Sequence, residues 1–144
     1  MDVKKGPPSW LGWATAGAGL VLGVAHLVVT GGPVFGGAEP VTPGSLVWVF
    51  VPVLVAVVFA AVALMLISPR HARKRWPLWA SGTAAVLTGV LALFGLTPLA
   101  FGAESSSLFQ GPGPYALPCA VLFGALTLSA ARGRRARAVD SIPA

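Results

Sequence analysis

The chain has 144 residues and a formal net charge of +6, but only 10% of its residues are charged and 56% are hydrophobic. Soluble domains contain about 25% charged residues, so this composition excludes an ordinary water-soluble globule. The excess of basic residues does not indicate nucleic-acid binding. The same few Lys and Arg residues are equally well explained as signals that set the orientation of membrane helices.

The apolar residues fall into four long runs, at about 10–30, 46–67, 76–100 and 115–131. A helix needs about 20 apolar residues to cross a hydrocarbon core, and lipid leaves no partner for unpaired backbone groups. The sequence therefore predicts an all-α integral membrane protein, one membrane domain with four transmembrane helices. The first run follows Lys4 and Lys5 as a signal peptide would, but its length favours a retained first helix.

All ten basic residues lie before the first run, between the second and third runs, or after the fourth. They are Lys4, Lys5, Arg70, Arg73, Lys74, Arg75, Arg132, Arg134, Arg135 and Arg137. Short loops rich in Lys and Arg stay in the cytoplasm, which predicts that both termini are cytoplasmic. The same cations predict contacts with anionic lipid headgroups. We expect the last cluster to stop the fourth helix and to precede a short flexible terminus.

Aromatic residues mark the predicted helix ends. Trp10, Trp13, Trp76 and Trp79 fall at the cytoplasmic ends, and Trp48 and Tyr115 at the outer ends. Such residues anchor helices at membrane interfaces. The preference for Ala, Val and Gly, and for Arg over Lys, is typical of a GC-rich bacterial genome and predicts a bacterial plasma membrane.

Part of the first half of the sequence recurs in the second half. The stretch WLGWATA begins at Trp10 and WPLWASG at Trp76, and FGGAE at 35–39 is followed by FGAE at 101–104. Chance matches of small apolar residues are one explanation. A duplication is the other, and it predicts two tandem helical hairpins, about 10–75 and 76–137, related as a parallel 2+2 repeat.

Small residues at four-residue spacing predict close helix packing. The pairs are Gly19 with Gly23, Ala56 with Ala60, Ala85 with Gly89, and Ala120 with Gly124. We expect the first and third helices to pack on each other through their pairs. The alternative is that these faces bind helices of another protein.

Three ionisable residues are candidates for function. His26 is the only one inside the predicted spans, where it could donate a single hydrogen bond as a neutral ring or serve in metal binding or proton transfer. Glu39 and Glu104 occupy equivalent outer positions in the repeat. Together they could form a cation vestibule, or each could be a solvated loop charge.

The sequence contains no recognisable catalytic or metal-binding motif, and Cys119 is its single cysteine. We therefore expect a small accessory or structural subunit of a larger membrane protein complex, without enzymatic activity. The alternative is a small oligomeric transporter or channel with its vestibule at Glu39 and Glu104. No cofactor is evident, although a lipid or quinone bound between helices would leave no motif.

Overall fold

The structure, a computed structural model, describes residues 7–71, 74–100 and 113–139. These residues form four helices and no strand. The helices are α1 (Ser9–Phe35), α2 (Pro43–Ile67), α3 (Trp76–Ala100) and α4 (Gly113–Val139). Each contains a segment that is long and apolar enough to cross a membrane. The predicted all-α fold is confirmed, with four helices long and apolar enough to span a membrane.

The helices extend beyond the apolar runs. α1 continues through Pro33 to Phe35, and α4 continues through the last basic cluster to Val139. Our expectation that this cluster stops the fourth helix was therefore wrong. Arg and Ala are strong helix formers, and cations near a helix C-terminus interact favourably with its exposed carbonyl groups.

Local sequence explains the turn between α1 and α2. Gly37 adopts a φ of 78°, a left-handed conformation that glycine tolerates without strain. Thr42 then caps α2: its hydroxyl accepts from the Ser45 N–H at 3.1 Å, while the Ser45 hydroxyl accepts from the Thr42 N–H at 2.9 Å. Pro43 occupies the first helical position, where its missing N–H costs nothing.

The four helices form two antiparallel hairpins. In the first, Gly12 lies against Ile67 near one end and Gly31 against Val49 near the other. In the second, Ser81 bonds to Thr127 on the facing helix. α1 also packs on α4, and α2 on α3, so the helices follow chain order around a ring.

The interior of this ring explains why one packing prediction fails. Gly23 faces Ala56 of α2, and Gly19 lies against Ala56 and Phe123 of α4, so neither glycine faces α3. The rings of Phe59 and Phe123 meet across the middle, with their centroids 6.0 Å apart. The expected packing of the first helix on the third through these pairs was wrong, because Gly19 and Gly23 pack on neighbouring helices and α1 and α3 occupy diagonal positions in the ring.

The shared core lies toward one end of the bundle. We call this the basic end: α1 and α3 begin there, and α2 and α4 end there. The buried core residues are Leu11, Ala16, Ala60, Ala63, Leu66, Ala84, Cys119, Phe123, Leu126 and Ala130. Val34 and Val49 are also buried, but they lie near the opposite end and do not belong to this core. The two hairpins are therefore joined mainly through the half nearer the basic end.

Candidate functional site

Hydroxyl groups inside the bundle bond to helix backbones and to one another. The Thr127 hydroxyl donates to the Phe123 carbonyl at 2.7 Å, so Ser81 must donate in the 2.8 Å bond between Ser81 and Thr127. Thr15 donates to the Leu11 carbonyl at 2.7 Å. Among the described residues, every buried side-chain nitrogen and oxygen has a hydrogen-bond partner. Of the bonds above, the one between Ser81 and Thr127 joins α3 to α4, and the others lie within a single helix.

Ser81→Ala should lower the free energy of unfolding by about 0.6 kcal/mol, which is typical for a hydrogen bond between membrane helices. The loss is small because Thr127 keeps its bond to Phe123. The measurement is the detergent-induced unfolding midpoint of the full chain. Thr83→Ala is the control, since Thr83 is exposed on the same helix. Equal shifts in the two variants would contradict the assignment.

His26 bonds to a backbone carbonyl on the neighbouring helix. Its Nε2 lies 2.9 Å from the Trp48 carbonyl oxygen. In a regular helix that oxygen would accept from the N–H of residue 52, but residue 52 is a proline and has no N–H. A carbonyl can only accept, so Nε2 carries the proton. His26 thus replaces the backbone donor that Pro52 removes.

A side chain also replaces a missing backbone donor in α3, at a residue that was not predicted from the sequence. The Thr97 hydroxyl donates to the Phe94 carbonyl at 2.6 Å. Phe94 lies four positions before Pro98, so its carbonyl also lacks the usual N–H partner. Counting back four positions from Pro52 and Pro98 would have identified the Trp48 and Phe94 carbonyls as lacking a backbone donor.

Of the two predicted carboxylates, only Glu39 lies within the described residues. Glu39 is exposed in the loop between α1 and α2, and its backbone N–H donates to the Pro33 carbonyl at 3.1 Å. Glu104 lies outside the described residues, so the vestibule stays a prediction. Within the described part of the chain, no three His, Cys, Asp or Glu side chains are grouped as a metal site would require.

Basic residues from two segments meet at the basic end. The Arg134 guanidinium of α4 donates to the Lys74 carbonyl in the loop between α2 and α3. Arg70, Lys74, Arg75, Arg132 and Arg135 are all exposed. Arg73 and the side chain of Arg137 lie outside the described residues. The contact gives Arg134 a structural role, because it joins α4 to the loop between α2 and α3.

The predicted aromatic anchors are mostly exposed. Trp10, Trp13, Trp48, Trp76 and Trp79 each have about half or more of their surface accessible, and Tyr115 is half-buried. Four of the tryptophans lie near the basic end, while Trp48 and Tyr115 lie toward the opposite end. This arrangement suits interfacial anchoring, which stays a prediction.

The predicted small-residue faces divide between internal contacts and open surface. Ala60 belongs to the shared core, and Ala85 packs against that core. Gly89 lies against Ala120 within the second hairpin. A Cβ atom built at Gly124 would have no neighbour within 4 Å. Several of these small residues thus lie at contacts between helices, whereas Gly124 faces open space.

One exposed face of α1 carries small and β-branched residues at alternating spacings of three and four. We call it the α1 seam, and it consists of Ala14, Gly17, Val21, Val24 and Val28. A Cβ atom built at Gly17 would have no neighbour within 4 Å. In the register that matches Trp10 to Trp76, the corresponding positions on α3 carry Ala80, Thr83, Leu87, Val90 and Phe94. The side chains of the α1 seam are therefore smaller than those of the corresponding face of α3.

In comparisons with known proteins, no family model matches the chain, and neither a curated protein nor a solved structure proved similar to it.

Proposed function

We propose that the chain is a non-catalytic accessory subunit that binds a transmembrane helix of a larger membrane protein through the α1 seam. The observation that carries this proposal is the exposure of all five seam residues, with open space beside Gly17. Four other glycines of α1, at Gly12, Gly19, Gly23 and Gly31, are buried, whereas Gly32 near the end of the helix is exposed. The seam is thus a second small-residue face of the helix, and the protein's own packing does not use it.

The physical argument rests on what drives helix association in lipid. Lipid tails are as apolar as leucine, so helices associate through close van der Waals contact, and small residues permit that contact. Alternating spacings of three and four keep one face toward a partner helix along a left-handed crossing. On α3, Leu87 and Phe94 are exposed at 48% and 71%. These large side chains would hold a second helix farther from the α3 backbone.

Gly17→Leu should abolish recovery of a partner while leaving the isolated chain folded. The leucine would fill the space that a partner helix needs, yet position 17 touches nothing within the chain. The tagged chain is purified in mild detergent from its native membranes, and bound proteins are identified with their stoichiometry. Thr83→Leu is the matched control, because it adds the same side chain at the exposed position of α3 that corresponds to Gly17 in the repeat.

Two results would contradict this proposal. One is a wild-type chain that is always recovered alone or only with copies of itself. The other is equal partner recovery by the Gly17 and Thr83 variants. Unfolding midpoints of both variants, which should match that of the wild type, separate loss of binding from loss of folding.

We further propose that the two hairpins arose by duplication and that the basic end faces the cytoplasm of a bacterial cell. The recurring Trp-x-x-Trp stretches begin α1 and α3, which are diagonal neighbours, as two equivalent helices in a pseudo-twofold ring would be. Basic loops are retained on the cytoplasmic side. The two basic segments joined by the contact between Arg134 and Lys74 support that orientation.

A further inference from the structure

Two basic segments that are far apart in sequence lie together at the basic end. The Arg134 guanidinium donates to the Lys74 carbonyl, which ties the last turns of α4 to the loop that precedes α3. We call the exposed cations Lys74, Arg75, Arg132 and Arg135 the basic surface. Arg132 and Arg135 are three positions apart on one helix, so their side chains share a face.

The charge of this surface is not balanced by the described part of the protein. Glu39 is the only acidic residue within the described ranges, and it lies in the loop at the opposite end of the bundle. Four exposed cations at one end of the bundle therefore attract anions from outside the protein. Guanidinium groups suit phosphate oxygens, because their N–H donors form paired hydrogen bonds with them.

The position of the surface indicates where such an anion comes from. The basic surface adjoins the first turn of α3, where Trp76 and Trp79 are exposed at 48% and 75%. Exposed tryptophans at the end of an apolar span lie at the level of lipid headgroups. A phosphate held at that depth, beside the apolar faces of the helices, belongs to a lipid.

We propose that the basic surface binds the headgroup phosphate of an anionic phospholipid. Arg132 and Arg135, which share a face of α4, contact the phosphate in this proposal, and Lys74 and Arg75 add positive charge at the same end. Arg134 is a positioning residue, because its guanidinium is engaged by the Lys74 carbonyl. The proposal goes beyond the function suggested above and does not depend on the α1 seam or on any partner protein.

The test measures lipid binding to the intact chain. The purified protein in detergent is titrated with phosphatidylglycerol or phosphatidylcholine, and bound lipid is counted by native mass spectrometry. We expect tighter binding of phosphatidylglycerol. Combined Arg132→Gln and Arg135→Gln substitutions should weaken it about thirtyfold, because each cation near an anionic lipid surface contributes roughly fivefold. Combined Arg132→Lys and Arg135→Lys substitutions should retain most of the binding, because they keep the charge.

The matched control is the pair Lys4→Gln and Lys5→Gln, which removes the same charge from another part of the sequence and should weaken binding far less. An equal loss in that control would overturn the assignment to the basic surface. Equal affinity for the two lipids would overturn the proposal, and so would complete competition by inorganic phosphate or a short oligonucleotide. Unchanged unfolding midpoints show that each variant remains folded.

Discussion

Gly23→Ala is expected to lower the free energy of unfolding by about 2 kcal/mol, a cost typical of overpacking in a tightly packed interior. A Cβ atom at position 23 would lie 2.9 Å from the Ala56 Cβ. Carbon atoms in favourable contact are about 3.5–4.0 Å apart, so α1 and α2 would have to separate. Separation weakens the whole glycine-lined face of α1, and the measurement is unfolding of the full chain in mixed micelles.

Gly89→Ala is the control for this prediction, and its effect should have the opposite sign or be near zero. A Cβ atom at position 89 would lie 3.9 Å from the Ala120 Cβ, which is ordinary contact. Alanine also favours a helix over glycine by up to about 1 kcal/mol in aqueous measurements. Ala56→Gly combined with Gly23→Ala should restore most of the lost stability, because it removes the opposing methyl group. Equal costs at positions 23 and 89 would refute the close approach.

His26→Leu is expected to cost about 2 kcal/mol, since it leaves the Trp48 carbonyl without a donor in apolar surroundings. The cost depends on Pro52, which removes the N–H that would otherwise serve that oxygen. In a Pro52→Ala background the backbone N–H of residue 52 returns. There we expect His26→Leu to cost no more than about 0.5 kcal/mol, the lower end of the net contribution of one hydrogen bond.

The measurement is a double-mutant cycle on the unfolding free energy, with wild type, both single variants and the double variant. Strong coupling between positions 26 and 52 is the expected result. If His26→Leu costs the same in both backgrounds, then the histidine does not replace the missing backbone bond. His71→Leu is a useful reference, because His71 lies in the turn after α2 at the opposite end of the bundle.

The number of long apolar helices could be predicted because it depends on local sequence, and so does the spacing of small residues on each helix. Long apolar runs must form helices in lipid, and glycine or alanine at four-residue spacing marks a face that allows close approach. The partner of each face could not be predicted. Gly19 and Gly23 face α2 and α4 because Phe59 and Phe123 fill the middle of the ring, and that meeting is not visible in either helix alone.

His26 illustrates the same limit within the candidate site. Its position in an apolar run indicated a side chain that must hydrogen-bond, but the acceptor lies 22 residues further along the chain. Identifying the Trp48 carbonyl requires both the effect of Pro52 and the register between α1 and α2. Glu104 lies outside the described residues, so the predicted pairing with Glu39 rests on sequence alone.

Because the shared core lies toward the basic end, a small tilt at the core moves the far ends of the helices by a larger distance. The last residue of α1 that packs on this core is Leu22, and the helix continues to Phe35. The remainder of the helix spans about 20 Å at the usual helical rise. A tilt of only about 5° at the core would therefore displace the far end of α1 by about 2 Å on this geometry. Because α1 also packs on α2 beyond this core, such a tilt would move the first hairpin as a unit, most at the end opposite the basic end.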